Sequence, residues 1–192
     1  MTHTVTGFPL SPTQKRIWLR QPAGEATPYV ARGALSIEGV LDNSLLKESL
    51  QRIVEQNQIL RTTFKHLPGM RLPLQSIADA KVAWQPDCDL SELTPAAQTD
   101  RLEAALRSLS DIDRDYERGP LVAAKIVTLA AEKRLLLISM PALGGDATTL
   151  AQLPRLISET YAGLQGGDAR VDADREPVQY ATLCRCYDEF VQ

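Results

Sequence analysis

Histidine is almost missing from this chain: its 192 residues contain two, His3 and His66. His3 lies in an N-terminal stretch expected to fray. His66 ends an apolar segment just before a Pro-Gly turn, where a strand-end role is expected. With so little imidazole, neither Ser139 nor Ser158 has a base nearby in sequence, which argues against a Ser–His–Asp triad. Cysteine is also scarce. Cys88, Cys184 and Cys186 are odd in number and follow no framework spacing, so no disulfide scaffold is expected. The Cys-Arg-Cys pair does not match common zinc motifs and reads as two thiols on different faces of a C-terminal helix. A reduced, cytosolic setting follows, and no metal site.

Positive charge is not in excess. Lys and Arg number 21 against 24 Asp and Glu, a net charge of −3. That is the wrong sign for a phosphate-binding surface, so no nucleic-acid partner is expected. No apolar run approaches the roughly 20 residues that cross a bilayer, so no membrane role is expected. The N-terminus lacks both a basic region and a long apolar segment, so no secretory signal is visible. No phosphate-binding loop with its lysine is present. Gly144-Gly145 before a helix is a weak anion-binding signal, and no Lys or Arg follows until Arg155. No cofactor is expected.

What is present suits one compact domain: hydrophobic residues are 44% and charged residues 23%. Ser11 and Pro12 start a short helix through Trp18 and Leu19. Tyr29 to Val40 reads as a strand. Asp42 or Asn43 starts a helix with Leu46, Leu50, Ile53 and Val54 on one face. Leu60 to Leu67 reads as a strand broken by Pro68-Gly69, and Val82 to Gln85 as a weaker one. Thr94-Pro95 caps a long helix with Leu102, Leu106 and Leu109 inward. Leu121 to Leu129 and Leu135 to Met140 form a hairpin, the second strand apolar on both faces and so central to a sheet. A Gly-Gly-Asp turn leads to a helix striped by Leu150, Leu153, Ile157, Tyr161 and Leu164. Pro154 lies inside that stripe, so this helix either starts late or kinks. Residues 177 to 190 form a last helix carrying Tyr180, Leu183, Tyr187 and Phe190. The predicted class is α/β: a two-layer sandwich, a mixed sheet with helices packed on one face, ordered over about residues 8–190.

Several segments, in order, carry a family pattern. Ser11-Pro-Thr-Gln14-Lys-Arg16-Ile-Trp18 matches Ser-x-Ala-Gln-x-Arg-Leu-Trp except at Thr13 and Ile17. Leu60-Arg61-Thr62-Thr63-Phe64 keeps the second half of Arg-His-Glu-x-Leu-Arg-Thr-x-Phe, whose first three positions read Gln56-Asn57-Gln58 here. Gly119-Pro120-Leu121 resembles the Gly-Pro-Leu before a family strand. Pro141-Ala142-Leu143-Gly144-Gly145-Asp146-Ala147 stands where His-His-x-x-x-Asp-Gly belongs, with both histidines and the final glycine replaced. The chain thus resembles the N-terminal lobe of a non-ribosomal peptide synthetase condensation domain, a chloramphenicol acetyltransferase-like fold, over about Phe8 to Phe190.

The resemblance implies half of a complete condensation domain. In the family a second lobe of the same kind closes a tunnel, and carrier proteins deliver substrates from opposite mouths. It also implies that the second histidine of the motif meets the donor thioester and the acceptor amine. Ala142 offers no polar side-chain atom for that task. Asp146 is implied to pair with Arg61 as a partly buried ion pair; the alternative is an exposed Asp capping the following helix. No catalytic residue is therefore assigned at Pro141, Ala142 or Asp146. Three readings stand. The first is a non-catalytic module for protein contact, packing on an adjacent adenylation or carrier domain or recruiting a tailoring enzyme in trans. The second is half of a split acyltransferase that forms an amide bond between carrier-bound substrates. The third is a piece of an ordinary longer chain, which would leave Tyr180, Leu183, Tyr187 and Phe190 as a contact stripe rather than a cover for the domain's own sheet. Trp18 and Trp84 are expected in the core.

Overall fold

The computed structural model describes residues 7–20, 29–79, 81–112, 114–167 and 178–191. His3 lies outside them. In chain order the elements are α1 (Pro12–Arg20), β1 (Val30–Glu38), α2 (Asn43–Gln56), a 3₁₀ turn (Gln58–Arg61), β2 (Thr62–Lys65), β3 (Leu74–Ile77), β4 (Ala83–Trp84), β5 (Cys88–Asp89), α3 (Pro95–Ser110), β6 (Ala123–Ala130), β7 (Lys133–Pro141), α4 (Ala147–Gln165) and α5 (Tyr180–Val191). The main sheet runs β1-β7-β6-β4, with β5 also on β6. β1, β7 and β6 are antiparallel neighbours, whereas β4 and β5 join β6 in parallel, so the sheet is mixed. β2 and β3 form a separate antiparallel pair.

β7 is central because it is apolar on both faces. Leu136, Ile138 and Met140 enter a core with Leu46, Leu50, Ile53 and Val54 of α2 and Leu153 and Ile157 of α4. Leu137, from the other face, joins Leu109 of α3 in a second cluster. Each such side chain, fully buried, contributes about 1.5–3 kcal/mol. The α/β class and the mixed sheet are as expected. The expected placement of the helices on one face is corrected in one respect: α3 packs opposite α2 and α4, so both faces are covered. The cause is visible in β7, whose Leu135 and Leu137 need cover as much as Leu136 does.

The caps explain the boundaries. Asp42 accepts from Ser44 N and Leu45 N at the start of α2, and Thr94 accepts from Ala97 N at the start of α3. α4 does not start late: Pro154 sits inside one continuous helix, on its exposed side. The first part of the segment expected as a strand from Leu60 is a 3₁₀ turn, and β3 and β5 were not foreseen.

Candidate functional site

The site indicated by the sequence is the turn from β7 into α4. Ala142 N donates to Tyr29 O at 2.7 Å, extending the β1–β7 ladder by one rung. Gly144 N donates back to Pro141 O at 2.9 Å and closes the turn. At Gly145 a side chain would not fit: a Cβ there would stand 2.7 Å from Met140 Sδ and 3.0 Å from Thr149 Cγ2. Neighbouring side chains fill the space beside Gly145, so this glycine serves close packing.

Asp146 N-caps α4. Its carboxylate accepts from Thr149 N at 3.0 Å and Thr149 Oγ1 at 3.2 Å, while Asp146 N donates to Thr149 Oγ1 at 3.3 Å. The Thr149 backbone bond holds the exposed carboxyl below the ordinary aspartate range, other nearby N–H groups assisting and slight desolvation opposing. Arg61 is elsewhere. Its Nη1 donates to Ala78 O at 2.9 Å, and its Nε is buried without an acceptor among the described residues. It lines a cavity of about 190 Å³ together with Lys81 and Arg118. The expected Arg61–Asp146 ion pair is thus corrected: among the described residues no salt bridge joins them, because the α4 N-terminus and Ala78 O each claim one partner. The capping alternative is the one observed.

The residues kept from the four segments meet by packing. Phe64, Leu121 and Leu143 form one buried cluster with Leu10, and Trp18 packs against it. Trp18 stands edge-on to Tyr116, ring centroids 6.3 Å apart, and Phe64 lies 6.4 Å from the same ring. Trp84 packs on the α2 core under the ammonium of Lys47. Both tryptophans are therefore packing residues, as expected.

A buried polar network backs this cluster. Gln14 Nε2 donates to Leu143 O at 2.9 Å and to Gln75 Oε1 at 3.1 Å, and its Oε1 accepts from Ser11 N at 2.9 Å. Gln75 Nε2 donates to Pro9 O at 2.7 Å, and Tyr180 OH donates to Ser11 Oγ at 2.8 Å. Burial pushes the Tyr180 hydroxyl and the Cys184 thiol up. The network ties α1, β3 and α5 to the turn. Ser11 and Gln14 were legible in the sequence; Gln75 was not, since β3 carried no recognised pattern.

Arg114 was missed as well. It is buried, with Nη2 donating to Ser139 Oγ at 2.9 Å and Leu109 O at 3.0 Å, and Nε to Leu121 O at 3.1 Å. Burial pulls its pKa down. In sequence it sits among acids, Asp113 and Asp115, and reads as a solvated charge. Ser139 is thereby a fully buried acceptor, which removes it as a nucleophile.

Beside Ala142 lies a groove of about 400 Å³ lined also by Thr13, Arg16, Ile17, Arg20 and Tyr29. Ala142 presents a methyl group there, and among the described residues the one histidine is His66, exposed at the end of β2. The turn can pack and cap; its side chains offer no group for proton transfer at position 142. Among the described residues, no three His, Cys, Asp or Glu side chains are placed to hold a metal.

Comparison with known proteins places these features in a family. Residues 5–185 match the family described as condensation domain. Tyrocidine synthase 3 from Brevibacillus parabrevis is 30% identical over 165 residues, covering 85% of this chain and 2% of that protein. Surfactin synthase subunit 2 from Bacillus subtilis is 28% identical over 159 residues, 81% of this chain and 4% of its own length. Among solved structures, the starter condensation domain of rhizomide synthetase superposes with a TM-score of 0.81 at 19% identity, over 97% of this chain and 44% of that one. The SgcC5 protein from Streptomyces globisporus gives 0.77 at 22% identity, over 95% and 42%. The chain therefore spans under half of these solved proteins and a few per cent of the synthetases it matches.

Proposed function

This chain belongs to the condensation-domain family, and on that footing we propose that it is a non-catalytic condensation-like lobe of a non-ribosomal peptide synthetase system, used for protein contact. Condensation domains are normally acyltransferases and work beside carrier and adenylation domains. The observation that carries the proposal is Ala142. The position where the family's second histidine belongs holds a methyl group, while Trp18, Phe64, Leu121 and Leu143 around it remain packed. The scaffold is kept and the reacting imidazole is not.

A second feature supports contact as the role. Leu183, Tyr187 and Phe190, at helical spacing on α5, are exposed, Phe190 at 92%. The stripe does not cover the domain's own sheet: among the described residues of α5 the buried ones are Ala181 and Cys184. An aromatic stripe of this kind suits a partner surface. The partner we propose is an adjacent adenylation or carrier domain in cis or a tailoring enzyme in trans, in the cytoplasm.

The test is a pull-down of the chain against the separate proteins of its own gene cluster, followed by titration calorimetry. Saturable binding at micromolar affinity or tighter, with no amide product from carrier-bound donor and acceptor, is expected. Amide formation by the chain, alone or with a partner lobe, would show a working acyltransferase and overturn the proposal.

A further inference from the structure

The net charge of −3 conceals a local excess of the opposite sign. The cavity of about 190 Å³ is walled by the start of β2, the segment after β3 and the turn before β6. Three cations line it, Arg61, Lys81 and Arg118, against one acid, Asp79. Neither Arg61 nor Lys81 takes part in a salt bridge among the described residues. Arg118 reaches Asp115 at 3.7 Å, but its side chain is 87% exposed, and such surface pairs contribute little.

Arg61 is the fixed member of this group. Ala78 ties it at both ends: Ala78 N donates to Arg61 O at 3.0 Å, and Arg61 Nη1 donates to Ala78 O at 2.9 Å. Its Nε is buried without an acceptor, so among the described residues the Nε–Nη2 edge of the guanidinium stands unanswered. That edge is the one that holds an oxyanion through two parallel hydrogen bonds. The acid expected to meet it, Asp146, is committed to the cap of α4. A guanidinium buried in part and left unpaired is costly, which gives an anion in this cavity a partner already in place. The other polar side chains of the wall cannot compete for the anion, since Thr62 Oγ1 donates to Gln58 O and Thr63 Oγ1 to Ser76 O.

We propose that this cavity is a binding site for a phosphate group, held by the free edge of Arg61 and closed over by the exposed ammonium of Lys81 and guanidinium of Arg118. The charge count selects the ligand class. Three cations less one acid leave an excess of two positive charges, which a phosphate group at neutral pH matches and a lone carboxylate does not. The volume exceeds what one water needs and is too small for a drug-sized ligand, so the site takes the phosphate of free inorganic phosphate or of a small monoester. The site lies apart from Ala142 and its groove, with which it shares no lining residue, and does not depend on whether the lobe catalyses.

Titration calorimetry of the chain with inorganic phosphate, at constant ionic strength, tests this. Saturable binding at one site is expected, with a Kd of about 1 mM or tighter. The thermal unfolding midpoint should rise with phosphate concentration in step with that affinity. Arg61→Lys keeps the charge but loses the two-pronged edge, and should weaken binding by about tenfold or more. Lys81→Gln changes an exposed side chain, leaves the fold intact and should also weaken binding by about tenfold. Arg155→Gln removes the same charge from the exposed face of α4 and should leave the affinity as it was. Glycerol 1-phosphate in place of inorganic phosphate separates the two sources: tighter binding assigns the site to a monoester, weaker binding to the free ion. Absence of saturable binding at that level would overturn the site. So would acetate binding as tightly as phosphate, or Arg61→Lys and Lys81→Gln binding phosphate as the parent does.

Discussion

Gln14 is 2% exposed and its side-chain amide makes three hydrogen bonds, to Leu143 O, Gln75 Oε1 and Ser11 N. Each buried partner left unanswered costs about 1–3 kcal/mol. Gln14→Leu should therefore lower stability by about 3 kcal/mol in urea unfolding, with the slope unchanged. Arg114 presents a harsher case, because the groups it answers include Ser139 Oγ in β7, the carbonyl of Leu109 near the end of α3 and that of Leu121 just before β6. No acid pairs with it among the salt bridges of the described residues. Arg114→Lys keeps the charge but loses the planar fork, and should still cost about 2 kcal/mol or more in the same measurement. A loss within error at either position would mean that water replaces the side chain.

At the scale of elements, α4 depends on its cap. Asp146→Ala should cost about 1 kcal/mol, the usual value for a lost N-cap. The pH dependence follows from the direction of the shift. The folded carboxyl lies below the ordinary aspartate range because Thr149 N donates to it. Its contribution is thus present above the unfolded value, near 3.9, and disappears as pH falls through the folded value. Asp146→Asn keeps an acceptor and should flatten that acid limb while costing only a few tenths of a kcal/mol near neutrality. Unfolding midpoints from about pH 2 to pH 7 would check both variants. An acid limb as steep in Asp146→Asn as in the parent would place the titrating group elsewhere.

The whole molecule leaves α5 with one face answered and one face bare. Ala181 and Cys184 are buried and Tyr180 reaches Ser11, whereas Leu183, Tyr187 and Phe190 are exposed. Tyr187→Ser with Phe190→Ser should leave stability within about 0.5 kcal/mol, the usual range for surface changes. The same pair should weaken binding to a captured partner by about tenfold or more if the stripe is the contact, which calorimetry would read. Equal affinity would move the contact to another face. The extents of helices and main strands were legible because their signals are local: caps at Asp42 and Thr94, a 3.6-residue stripe in α2, and β7 apolar on both faces. The family pattern and the loss of imidazole at position 142 were legible for the same reason, being properties of residue identity alone. Other features depended on which groups meet across long sequence separations. Arg61 and Asp146 are 85 positions apart in number, and a carbonyl and a helix N-terminus divide them. Gln14 meets Gln75 across 61 residues, through a short strand with no pattern of its own. α3 crosses to the far face because β7 presents leucines there, and α5 turns Tyr187 and Phe190 outward while Tyr180, Ala181 and Cys184 seat it. Sequence by itself determined the family, the helices, the main strands and the missing histidine; only the tertiary structure decided the partners of the buried polar groups and the faces left open, since those are fixed by proximity in space and not by order along the chain.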